Sequence, residues 1–160
     1  MRIVVAAVGR LKAGAERELA ERYRERAVKS GRALGIRDIE VIEVKDSRAR
    51  EPERRILEES IALASIVPDT AVRIALDAHG DNLSSESLAG RLRAWSDAGR
   101  ECVFFAIGGA DGLGEAVRER ADLTVAFGTA TWPHQFVRIM LLEQIYRAIT
   151  ILSGHPYHRE

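Results

Sequence analysis

Short runs of β-branched and aromatic residues alternate with longer stretches of helical periodicity along the whole chain. Five runs predict strands, because they are rich in Val, Ile and Phe and lie between glycines or charged turns: residues 2–9, 39–44, 71–77, 102–107 and 123–127. Several are apolar at every position, which is typical of strands buried on both faces of a sheet. This alternation predicts an α/β fold, with a mostly parallel sheet and helices on both of its faces.

The stretches between the strands have apolar residues at helical spacing, and they predict helices over 14–30, 51–67, 84–99 and 114–121. In the second of them this spacing is carried by Leu57, Ile61 and Ala64. A final helix over 134–152 has apolar residues around much of its circumference, more than one sheet face can cover. We therefore expect a two-fold partner to bury the remainder, as in a homodimer.

The length and composition indicate one compact domain over residues 1–160, since the chain has 160 residues of which 46% are hydrophobic. Cys102 is the only cysteine and has neither a disulfide partner nor the spacing of a zinc site, so we expect a reducing cytoplasm and no metal. The apolar run at the N-terminus is shorter than a signal peptide, and no segment approaches the ~20 apolar residues of a membrane span.

The charge balance gives no overall indication of nucleic-acid binding, because 24 basic side chains face 24 acidic ones. Locally, six basic residues lie between Arg22 and Arg37 against the single acid Glu25. This cluster fits either a surface that follows a phosphate backbone or an ordinary solvated helix face.

In open α/β sheets, ligands bind at the carboxyl ends of the strands, so the loops that follow the strands are the candidate sites. The loop "GGADGLG", which begins at Gly108, fits close backbone approach to a ligand or simply a tight turn. The glycine pattern of dinucleotide-binding folds is missing after the first strand, where the sequence reads "AVGRLKAG". In "DAHGDNLSSESLA", His79 is more typical of a satisfied turn histidine than of a catalytic one.

Two further segments, both near the C-terminal end of the chain, are candidates for a functional site. In "FGTATWPHQFVR", backbone groups could hold the edge of a heterocycle, and Trp132 could stack on it or fill the core. After the last helix, Gly154 and Pro156 leave residues 157–160 in an extended end. By its composition alone such an end is expected to be disordered and idle.

Taken in order and spacing, "LDAHGDNLSSESLA", "FAIGGADGLGEAV", "TATWPHQFVRIMLLEQIYRAI" and "HPYHRE" resemble the bacterial ribosomal large-subunit pseudouridine N3-methyltransferase family of the SPOUT class. The resemblance runs end to end and is strongest from Leu76 to Glu160. It implies S-adenosylmethionine as methyl donor, a C-terminal trefoil knot, a homodimer, and a pseudouridine in a hairpin loop of 23S rRNA as target. The family suggests the assembled ribosome as substrate.

The resemblance also implies roles for particular residues. The implied cofactor-binding residues are Leu76, Gly108, Phe127, Gly128, Thr129, Ala130, Thr131 and Trp132. Because the family commonly has other residues at positions 129 and 130, their backbone is expected to matter more than their side chains.

In the family the tail closes over the active site, and methylating an imide nitrogen requires removal of its proton. We expect His158 to handle that proton, Arg159 to hold a carbonyl or phosphate, and Tyr157 to stack or hydrogen-bond. Arg138 is a further candidate for contacting RNA. The tail of one chain is expected to meet the cofactor loops of the other.

Two other classes of function share parts of this pattern. A nucleotide-dependent oxidoreductase has the same α/β layout, but it should carry the glycines that are missing after the first strand. A non-catalytic RNA-binding or ribosome-associated protein would account for the Arg22–Arg37 cluster, but not for the glycine loop and the terminal tail.

Overall fold

The computed structural model describes residues 1–158, and it contains five parallel strands in one sheet with five α-helices around it. The order of the strands across the sheet is β2-β1-β4-β3-β5. The elements in chain order are β1 Arg2–Val8, α1 Ala15–Gly31, β2 Asp38–Val44, α2 Pro52–Ser65, β3 Val72–Asn82, α3 Ser85–Asp97, β4 Cys102–Ile107, α4 Glu115–Glu119, β5 Leu123–Ala126 and α5 His134–Leu152. The expected α/β class and element order are confirmed.

Helices cover both faces of the sheet, which confirms the expected layering. Alternate residues of β1 point to opposite sides: Ile3 and Val5 join the cluster formed with α1, α3 and α5, whereas Val4 and Ala6 join a smaller cluster with α2. The residues of β1 and β4 are almost completely buried, because both strands lie inside the sheet with a helix layer on each side. This burial on both faces explains why the sequences of these strands are continuously apolar.

Strand β3 is interrupted where the sequence predicts its end. Its first half pairs with β5 up to Leu76, then four residues bulge out, and Asp81 resumes pairing with the same strand. A Cβ at Gly80 would lie 2.6 Å from the backbone of Thr124 and Val125, so only glycine permits this close return of the chain. The loop expected after Asp77 is therefore a bulge held against β5.

The apolar residues that carried the predicted periodicity of α2 lie on its exposed side. Leu57 and Ile61 are 58% and 60% exposed, while Glu59, Ser60 and Leu63 are buried. The helical periodicity of the sequence is real, but the buried side of α2 is mixed: Leu63 packs into the core, while Glu59 and Ser60 accept backbone hydrogen bonds there.

Helix α5 lies between α1 and α3 on the sheet, and its residues from Leu141 to Ile149 are largely buried within one chain. The expectation that this helix has more apolar surface than a single chain can cover is therefore wrong for most of its length. At its N-terminal end, however, Phe136 is 48% exposed and Val137 and Met140 are only half-buried.

Arg138, expected as a possible RNA contact, is 1% exposed. Its guanidinium donates to Glu43 Oε1 and to the carbonyl of Gly9, both at 2.8 Å. Burying an arginine is tolerated only when such partners compensate the lost hydration. Arg138 thus joins α5 to the ends of β1 and β2, and the structure contradicts its assignment as an RNA-binding side chain.

The helices found within residues 1–158 include none with the length and apolar character needed to cross a membrane.

Candidate cofactor cleft and the C-terminal tail

A cleft with about 650 Å³ of free volume opens at the carboxyl ends of β3, β4 and β5. The walls come from the β3 bulge, the glycine turn after β4, the loop after β5 and the first turn of α5. This volume lies within the range of sites for nucleotide-sized ligands. Seven of the eight cofactor-binding residues implied by the resemblance line it: Leu76, Gly108, Phe127, Gly128, Ala130, Thr131 and Trp132. Thr129 lies in the same loop but is not among the described lining residues.

The glycine turn, residues 108–114, is tightly closed on itself. Gly109 and Gly112 form an isolated bridge, with Gly112 N–H donating to the Gly109 carbonyl at 3.1 Å. A Cβ at Gly108 would lie 2.4 Å from the carbonyl carbon of Gly112 and 2.8 Å from Leu113 N. The need for glycine at 108 therefore arises from the packing of this turn, which favours the tight turn of the two interpretations that the sequence left open.

The loop after β5, residues 127–132, is held by two hydrogen bonds. Gly128 N–H donates to Asn82 Oδ1 at 2.7 Å, and Gly128 has a φ of +85°, a conformation that favours glycine. Trp132 donates its indole N–H to the carbonyl of Phe127 at 2.9 Å. Since Trp132 is 45% exposed, it borders the cleft and does not fill the core.

The β3 bulge contributes charged groups to the cleft. Asp77 accepts hydrogen bonds from the backbone and ring of His79 at 2.9 and 2.8 Å, and Arg118 lies 3.3 Å from its second oxygen. Burial alone would raise the pKa of Asp77, but the bonds from His79 and Arg118 outweigh it and hold the pKa below its usual value. Asp77 is thus ionised and satisfied, and His79 is a paired turn histidine.

His134 is a cleft residue that the sequence patterns did not single out. It is the first residue of α5, and its Nε2 would lie 3.3 Å from a Cβ at Gly9, so it fills the space beside the end of β1. Burial lowers its pKa and Arg138 lowers it further, while Glu59 and Asp46 offset part of the effect. The imidazole is therefore held neutral near pH 7. In the sequence, only its position directly after Pro133, at the start of the last helix, could have indicated that His134 lies in the cleft.

The tail folds back onto the protein, so the expected free end is wrong for its first two residues. The ring of Tyr157 lies 4.6 Å from that of Tyr146, and Arg147 stacks over it at 4.9 Å. Its hydroxyl donates to Glu143 Oε1 at 3.1 Å. Burial, together with Tyr23 and Glu143, raises the pKa of the Tyr157 hydroxyl, which stays protonated at neutral pH.

His158 lies beside the first turn of α3. Its Nε2 is 2.7 Å from Glu86 Oε1, an ion-pair distance, although the alignment is poor for a hydrogen bond. Arg159, expected to bind a carbonyl or phosphate, lies outside the described residues. Tyr157 and His158 do not line the cleft. Within one chain, these two tail residues are therefore separate from the cofactor loops.

The basic cluster between Arg22 and Arg37 follows the outer side of α1 and continues beyond it. Arg24 pairs with Glu21, while Arg22, Arg26 and Lys29 are exposed. A phosphate contact and a solvated face both stay predictions for this cluster. Within residues 1–158, no group of three or more His, Cys, Asp or Glu side chains is placed to hold a metal ion.

A family match assigns this fold to a class of methyltransferases. The family described as Predicted SPOUT methyltransferase matches residues 1–158, and the chain belongs to this family. Three relatives called Ribosomal RNA large subunit methyltransferase H are 58%, 57% and 56% identical to it. They come from Rhodopseudomonas palustris strain BisB18, Bradyrhizobium sp. strain BTAi1 and Nitrobacter hamburgensis, and each alignment covers 99% of both chains.

Among solved structures, the SpoU methyltransferase AviRb from Streptomyces viridochromogenes, in complex with the cofactor AdoMet, is a distant match. Its TM-score is 0.40 and its sequence identity 13%, over 97% of this chain and 58% of that chain. A similarity at this level adds nothing to the assignment.

Proposed function

We propose that this protein methylates N3 of a pseudouridine in a hairpin loop of 23S rRNA, on the assembled ribosome and with S-adenosylmethionine as methyl donor. One observation carries this proposal: 58% identity over 99% of both chains to a relative whose name specifies large-subunit rRNA methylation. The same relationship favours a methyltransferase over an oxidoreductase or a non-catalytic RNA-binding protein. We also propose a cytoplasmic location and a single domain over residues 1–160, whose C-terminal part carries the family's trefoil knot.

The cleft fits the proposed cofactor. Leu76, Phe127 and Trp132 offer apolar and aromatic surface for an adenine ring, and the loops from Gly108 and Gly128 offer backbone groups for its edge. Ala130 and Thr131 also line the cleft. Thr129 is the one proposed cofactor-binding residue that does not. When bound, S-adenosylmethionine supplies an electrophilic methyl group.

The tail supplies the polar chemistry in this proposal. N3 of the base must lose its proton before it can attack, and His158 is the side chain we assign to receive it. Tyr157, whose hydroxyl is protonated at neutral pH, is assigned to stack on the nucleobase or to hydrogen-bond to it. Arg159 is assigned to the negative charge that develops on a neighbouring carbonyl, or to a phosphate.

We propose that the active protein is a homodimer with composite sites. The support is geometric: the described tail residues contact α3 and α5, whereas the cleft opens at the strand ends, and this separation favours a tail that meets the cleft of a second chain. Trp132 and Phe136, both nearly half exposed beside the cleft, offer apolar surface for a second chain. This surface replaces the middle of α5 as the proposed contact.

The proposal is tested by incubating the protein with ribosomes and labelled S-adenosylmethionine, followed by mass spectrometry of 23S rRNA fragments. We expect one added methyl group on a hairpin pseudouridine, with free rRNA a poorer substrate. Calorimetric titration should show binding of S-adenosylmethionine and none of NAD. Binding of NAD, or ribosome binding without methyl transfer, would favour one of the alternatives.

Substituting Gly108 by alanine is expected to lower both stability and cofactor affinity. The new Cβ meets the backbone of Gly112, which must shift, and overpacking of this kind costs about 1–3 kcal/mol. The displaced turn should weaken S-adenosylmethionine binding, measured by calorimetry beside chemical denaturation. Gly90→Ala is the matched control, because nothing lies within 4 Å of a Cβ at that helical position. A Gly108→Ala protein with unaltered stability and affinity would contradict this account of the turn.

A further inference from the structure

Arg55 of α2 connects two backbone carbonyls, those of Ala49 and Arg50, to Asp111 at the tip of the glycine turn. Its Nε and Nη2 donate to the two carboxylate oxygens of Asp111 at 2.7 and 3.0 Å. Its Nη1 donates to the carbonyls of Ala49 and Arg50 at 3.1 and 2.8 Å. A bidentate pair of this kind fixes orientation as well as distance, because both groups are planar. The guanidinium thus joins the segment before α2 to the turn that lines the cleft.

The next turn of α2 contacts the two ends of the same loop. Ser60 Oγ accepts a hydrogen bond from Gly114 N–H at 3.0 Å. Glu59 is buried, and its Oε2 lies 2.7 Å from the position that a Cβ at Gly109 would occupy, with no hydrogen-bond partner among the described residues. The polar face of α2 therefore touches the start, the tip and the end of the glycine turn.

We propose that Arg55 and Asp111 are positioning residues that set the affinity for S-adenosylmethionine by holding the glycine turn in its binding geometry. The inference rests on the proposed function. Both carboxylate oxygens of Asp111 are occupied by Arg55, so the pair presents no unbalanced charge to the cleft that Asp111 lines. Without Arg55, a free carboxylate would stand at the tip of the glycine turn, and the link from this turn to the segment before α2 would be lost.

The test compares Asp111→Asn and Arg55→Ala with Arg54→Ala. Arg54 makes a similar ion pair with Glu58 on the same helix, at 2.9 Å, but that pair is well exposed and does not touch the turn. For the first two variants we expect the Kd and the KM for S-adenosylmethionine to rise about fivefold, the upper end of the effect of losing a partly exposed ion pair. The kcat at saturating cofactor should stay unchanged, and Arg54→Ala should bind normally.

Asp111→Glu keeps the carboxylate and is expected to retain most of the affinity. Asp111→Asn decides the outcome if Arg55→Ala does not fold, because the amide preserves the shape of the side chain. Normal affinity in Asp111→Asn, or a lower kcat with an unchanged KM, would overturn the positioning role. If the unaltered protein itself failed to bind S-adenosylmethionine, the proposed function would fail and this inference with it.

Discussion

Deleting residues 157–160 is expected to abolish methyl transfer to ribosomes while S-adenosylmethionine still binds with normal affinity. The deletion removes the groups that we assign to proton transfer and base binding, whereas the cleft is built from other parts of the chain. The measurement is single-turnover methyl transfer beside calorimetric titration. Wild-type turnover by the shortened chain would refute a catalytic role for the tail.

The deletion should also lower stability by about 1–2 kcal/mol, because it removes the Tyr157 ring from Tyr146 and the hydrogen bond to Glu143. From the sequence, a free end was expected, and its loss would have had almost no effect on stability. His158→Gln separates the two effects, since it leaves the packing of Tyr157 in place. We expect this variant to keep the melting temperature of the unaltered protein and to lose most of its activity.

Mixing two inactive chains is expected to restore about a quarter of wild-type activity if the sites are composite. One chain carries Ala130→Trp, which places a large ring on the cleft wall, and the other lacks residues 157–160. After joint unfolding and refolding, half of randomly formed dimers are mixed, and each mixed dimer contains one intact site. Sites built within a single chain would each keep one defect, and no activity would return.

The reverse mixture provides the control. A chain that carries both changes is refolded with an equal amount of unaltered chain. Composite sites predict that every mixed dimer is inactive, so about a quarter of the activity remains, whereas sites within one chain predict about a half. Before mixing, a melting curve of the Ala130→Trp protein must show that it folds. Calorimetric titration with S-adenosylmethionine must show that it no longer binds the cofactor.

Periodicity and residue type were sufficient for the elements and their order. Every expected strand and helix is present, because a strand buried on both faces needs continuous apolar residues and a helix needs apolar spacing near 3.6. The motifs of the last 85 residues also identified most of the cleft wall, since strand ends in a parallel sheet converge on one edge. Only the bulge after Leu76 changed the expected geometry of that edge.

Only the tertiary structure determined where individual polar side chains lie and which partners they bind. Arg138 pairs with Glu43 across 95 positions of the chain, and Arg55 with Asp111 across 56. Local spacing carries no information about such partners, so Arg138 was expected at the surface and α2 was described by its apolar residues alone. A buried charge is stable only where a distant partner meets it, and folding determines where those partners meet.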